Sequence, residues 1–92
     1  PYAEKALSKL PQHPDILDTY GKILKLQGQH KEAIAQFEKS LAIRPNHPEV
    51  QLNYAESLIQ TGNKSKASEV LRSVNAESAE HKARQQQLSA SL

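Results

Sequence analysis

The stretch from Pro14 to His47, PDILDTYGKILKLQGQHKEAIAQFEKSLAIRPNH, is 34 residues long, and the chain then starts it again. Pro14 returns as Pro48, Tyr20 as Tyr54, Leu24 as Leu58, Gly28 as Gly62 and Ala33 as Ala67, each after 34 residues. The same step taken backwards leads from Pro45 to Pro11, His47 to His13, Leu41 to Leu7, and Glu38-Lys39 to Glu4-Lys5. A period of this size constrains the fold strongly. Each unit is one supersecondary element that cannot bury its apolar face alone, so neighbouring units must stack into a continuous core.

A chain of 92 residues holds one domain, divided by this period into a half unit (1–13), two full units (14–47 and 48–81) and a closing helix (82–92). The two-residue excess of Lys plus Arg (12) over Asp plus Glu (10) is small and interleaved, and aromatic residues are only 4%. Neither a basic footprint nor a set of stacking platforms for nucleic acid is present. Cysteine is absent, which removes disulfide and thiol chemistry. No run is long and apolar enough to insert directly into a membrane. The chain opens on Pro1-Tyr2 in mid-pattern and reads as a fragment of a longer repeat protein.

Apolar spacing predicts helices throughout. Ala3, Ala6, Leu7 and Leu10 form a helical stripe that Pro11 ends. Pro14 and Pro48 suit first helical turns, where the missing N–H has no partner to lose. Leu17, Tyr20, Gly21 and Leu24 form one inward face, and Val50, Gln51, Tyr54, Ala55 and Leu58 the next. Gly28 and Gly62 are predicted to close these helices in left-handed backbone. The partner helices run from about Lys31 to Ile43, with Ala33, Ile34, Phe37, Ser40 and Leu41 inward, and from about Lys64 to Val74, with Ala67, Val70, Leu71 and Val74 inward. Asn75 to Ala79 is a polar turn without the expected proline. A polar helix from about Glu80 toward Leu92 ends the stack.

These residues resemble the tetratricopeptide repeat, a 34-residue helix–turn–helix. The first copy supplies Leu17, Tyr20, Gly21, Leu24, Gly28, Ala33, Phe37, Ser40 and Pro45. The second supplies Gln51, Tyr54, Ala55, Leu58, Gly62, Ala67, Leu71 and Val74, with Ala79 where the family places proline. The resemblance implies an all-α fold, a right-handed superhelix of about six helices, and a non-enzymatic scaffold that holds a peptide segment of a partner in its concave groove. A structural module that self-associates through exposed repeat ends is the alternative. The segment ILDTYGKILKLQGQHKEAIAQFEKSLAIRPNHPEV is also similar to bacterial cell-envelope repeat proteins of exopolysaccharide export and pilus assembly, which would imply the bacterial cytoplasm or periplasm.

Chemistry-bearing residues give no catalytic or metal set. His13, His47 and His81 recur at the period, but equivalent positions in stacked helix pairs lie on the order of 10 Å apart, too far to share one zinc. They read as helix-start residues, and Asp15 and Asp18 as charges favouring a helix start. No cofactor motif occurs. By the resemblance, the first helix of each pair lines the groove. Asp18, Lys22 and Lys25 would then line it on the first pair, Leu52, Asn53, Glu56 and Ile59 on the second, and Gln86 on the last helix. Leu52 and Ile59 read as exposed apolar anchors, and an Asn at the place of Asn53 holds peptide backbone in peptide-binding members. The carboxylate clamp of chaperone-binding members does not transfer: only Asn53 fits, while Asp18, Lys22, Ala83 and Gln86 do not. The apolar stripe on residues 2–10 predicts a homodimer at the N-terminal end.

Overall fold

Five helices occupy residues 13–92, the part of the chain that the computed structural model describes: α1 (Pro14–Leu26), α2 (His30–Ile43), α3 (Pro48–Gln60), α4 (Lys64–Ser73) and α5 (Ala79–Ala90). No strand occurs among the described residues. The predicted helix over residues 2–10, and the dimer contact expected of it, lie outside them.

Local chemistry sets the helix starts. Pro14 and Pro48 occupy the first turns of α1 and α3, preceded by His13 and His47 in extended backbone. In both, the imidazole Nδ1 accepts a backbone N–H, from Asp15 at 3.2 Å and from Val50 at 3.5 Å, which satisfies one of the orphan donors of a helix start. The helix-start reading of these two histidines therefore holds. His81 departs from it. Here Ser78 is the cap, its Oγ accepting the His81 N–H at 3.1 Å, and His81 lies inside α5. The caps His13 and His47 are 34 residues apart, whereas Ser78 follows His47 by 31. The second unit is three residues short of the period because α4 has 10 residues where α2 has 14, while the segment that follows is one residue longer, so the unit boundary expected at residue 81 falls inside α5.

The two predicted glycine stops are present. Gly28 has φ +80° and Gly62 φ +84°. Gly28 N–H donates to the Lys25 carbonyl at 3.0 Å and Gln29 N–H to that of Leu24 at 2.8 Å. Gly62 and Asn63 repeat the pair on Ile59 and Leu58 at 3.0 and 2.8 Å. Both ends are thus Schellman caps, which use up carbonyls that would otherwise lack donors. A Cβ at either glycine would meet nothing within 4 Å, so only backbone strain opposes substitution. Gly28→Ala and Gly62→Ala should each lower stability by about 1–2 kcal/mol, read as a shift in the urea midpoint at unchanged slope.

Packing follows chain order. α1 packs on α2, α2 on α3 and α3 on α4, and α5 lies against both α3 and α4. One core cluster joins Leu24, Ala33, Phe37, Val50, Tyr54, Leu58 and Ala67 across α1 to α4. A second joins Leu52, Ala55, Leu71 and Val74, with Leu88 of α5 against it. Buried polar groups tie the layers. Ser40 Oγ donates to the Pro14 carbonyl at 2.9 Å, and Tyr54 Oη donates to Glu38 at 2.7 Å. No glycine ends α4. Instead Gln85 Nε2 reaches from α5 to the Leu71 and Val74 carbonyls at 2.7 and 3.2 Å.

Candidate partner-binding face

The first helices of successive pairs, α1, α3 and α5, share a polar face. On α1, Lys22 and Lys25 stand one turn apart. Lys22 Nζ lies 3.4 Å from Asp18 on its own helix and 3.1 Å from Glu49 on α3. Lys25 Nζ reaches α3 at Glu56 (2.8 Å) and the Asn53 side-chain oxygen (3.4 Å). From the other side, Arg84 of α5 places Nη2 2.7 Å from the same Glu56 oxygen and 2.8 Å from the same Asn53 oxygen. Two cations from separate helices therefore converge on one carboxylate and one amide.

Asn53 sits at the bottom of this arrangement, 3% exposed. Its oxygen is occupied by the two cations, while its Nδ2 donor is buried without an acceptor, as is Asp18 Oδ1 as an acceptor without a donor. Orphaned buried polar atoms are rare and costly, so each marks a place with spare hydrogen-bonding capacity.

The carboxylates are tuned by this setting. Burial alone would raise the Glu56 pKa, but the hydrogen bonds from Lys25 and Arg84, and their charges, together hold it below the ordinary value of 4.5. The hydrogen bond from Lys22 lowers Glu49 in the same direction, against a smaller opposing effect of burial. A carboxyl group with a depressed folded-state pKa stabilises the fold fully above the unfolded-state pKa, and the contribution is lost as pH falls through the folded value. The domain should therefore lose stability as pH drops below about 4.5, and Glu56→Gln should flatten that part of a plot of melting temperature against pH.

Comparison with protein-family models matches residues 24–92 to the tetratricopeptide repeat. The chain belongs to the tetratricopeptide repeat family. Comparison with curated proteins found no match, and neither did comparison with solved structures. Membership makes the domain a protein–protein interaction module of a typically non-catalytic kind. No helix among the described residues is long and apolar enough to cross a membrane.

Within this repeat domain, several groove residues lie elsewhere than the sequence places them. Leu52, expected as an exposed anchor, is 0% exposed in the second core cluster. Ile59 is half-buried against the first cluster. The cause is the number of neighbours: α3 is covered by α2, α4 and α5, so buried residues surround it instead of forming one stripe. Gln86, expected in the groove, is exposed in a cleft between α4 and α5 with Ser68, Arg72 and Ser89.

Arg84 is the residue that sequence reading missed. Asn53 is the sixth residue after its cap His47, and Arg84 is the sixth after Ser78. Strict 34-residue counting carries Asn53 to Gln87 instead. Ser78 as a cap signal, in a linker without proline, is what could have revealed the three-residue shift. The other expected residues fall into two networks: Asp18 and Lys22 with Glu49, and Lys25, Asn53 and Glu56 with Arg84.

Proposed function

We propose that the face shared by α1, α3 and α5 binds a segment of a partner protein, with Asn53 holding its main chain. The observation that carries this reading is the Asn53 Nδ2 donor, buried without an acceptor where polar side chains of three helices meet. A peptide carbonyl supplies what that donor lacks. Lys22 and Glu49 flank the spot with one charge of each sign, so the flanking charges favour a mixed-charge partner over a uniformly acidic one. Contacts to these partly exposed charges should contribute about 0.2–1 kcal/mol each and weaken with salt. The buried donor should contribute more, about 1–3 kcal/mol.

The test starts from peptides selected on the immobilised domain. Asn53→Ala should weaken binding by about tenfold with the circular-dichroism melt retained, Lys22→Ala should weaken it only slightly, and Lys39→Ala on α2 should leave it unchanged. Loss of binding in Lys39→Ala with Asn53→Ala silent would move the site to the outer surface.

A further inference from the structure

The donor that makes Asn53 attractive is also covered. Its Nδ2 is shut off from solvent, and the Oδ1 of the same amide is held by Lys25 and Arg84, which with the Glu56 that joins them have side chains only 15%, 28% and 34% exposed. Lys25 Nζ and Arg84 Nη2 share both the Glu56 Oε2 and the Asn53 Oδ1 atoms. Two like charges so close repel one another, and the carboxylate between them is what makes the arrangement favourable. An amide oxygen alone is a weaker partner for two cations than an ionised carboxylate.

We infer that Glu56 is a latch: its carboxylate draws Lys25 of α1 and Arg84 of α5 together over Asn53, and a partner reaches the Asn53 donor only when this bridge opens. The inference rests on the reading of this face as the partner site. It makes two consequences unusual for a charged groove. Neutralising Glu56 leaves two unbalanced cations and drives α1 and α5 apart, whereas neutralising one cation leaves the other paired. Neutralising Glu56 also strengthens binding, because a site that is only fractionally open binds with its affinity reduced by that fraction.

The experiment has two arms. Because the chain has no cysteine, cysteines introduced at Thr19 on α1 and Gln87 on α5 take nitroxide labels without background, and electron–electron dipolar spectroscopy reads the distance across the face. Glu56→Gln should lengthen or broaden that distance distribution at low salt. Arg84→Gln should not, and the Glu56→Gln, Arg84→Gln double variant should return to the wild-type distribution because the repulsion is gone. In the second arm, a fluorescent peptide selected on the wild-type domain should bind Glu56→Gln more tightly, by about tenfold if the open state is about a tenth of the population. An unchanged distance in Glu56→Gln overturns the latch, and so does equal or weaker peptide binding by a variant that still melts cooperatively. Peptide binding indifferent to Asn53 and Lys22 would instead remove the partner-site reading, while the distance arm would still report on the bridge.

Discussion

Phe37→Ala should lower stability by about 3–5 kcal/mol, enough to remove a large share of the roughly 5–15 kcal/mol that holds a domain of this kind folded. The ring is 0% exposed and belongs to the cluster that joins α1 through α4, so no neighbour can collapse into the space without undoing a helix contact. The reason a phenylalanine fits there is Gly21. A Cβ at Gly21 would fall 2.5 Å from Phe37 Cε1, closer than atoms approach. One period later the pair becomes Ala55 with Leu71, both buried: a larger residue on the first helix faces a smaller one on the second. Gly21→Ala gains about 1 kcal/mol in helix propensity but overpacks a filled site at about 1–3 kcal/mol, and the overpacking should win. Combining Gly21→Ala with Phe37→Leu rebuilds the pairing of the second unit. The double variant should then be more stable than the two single effects sum to, by about 1 kcal/mol or more. Urea titrations of the four proteins check this, and additive effects would show that Gly21 and Phe37 are not matched.

Leu52→Ala should also act on the fold, at a cost of about 2–5 kcal/mol. Leu52 is fully buried with Ala55, Leu71 and Val74, beneath Leu88 of α5. Its loss should lower the melting temperature and release the contact of α5 with α3. Hydrogen exchange should show α5 opening first. A variant with a wild-type melt would mean that Leu52 faces solvent, as an isolated helix pair would have it.

These two residues mark what could be read from the chain and what could not. Gly21, Phe37, Gly28 and Gly62 repeat a pattern set within one 34-residue unit, and the local requirements are visible in it: a small residue facing a large one, and left-handed backbone after a helix. Leu52 and Arg84 depend on a third neighbour. Whether a position on α3 is groove or core is decided by where α5 lands, and α5 lands three residues early because α4 is four residues shorter than α2 and the segment ending at Ser78 only one residue longer than its counterpart. Period counting is blind to that deletion, which turned Gln86 into a groove residue and hid Arg84. The charges themselves were legible, since Asp18, Lys22, Lys25 and Glu56 are polar wherever the helices lie. Apart from the Asp18–Lys22 pair within α1, their pairing was not, because it joins residues of different helices.

The central claim is that a partner lies along α1, α3 and α5, and backbone amide shifts of the ¹⁵N-labelled domain, recorded while a selected peptide is added, test it most directly. The account predicts that the largest changes fall at Lys22, Lys25, Glu49, Asn53, Glu56 and Arg84, together with the Asn53 side-chain amide, which gains an acceptor. Changes confined to α2 and α4, around Lys39 and Glu69, with the Asn53 side-chain amide unmoved, would contradict it.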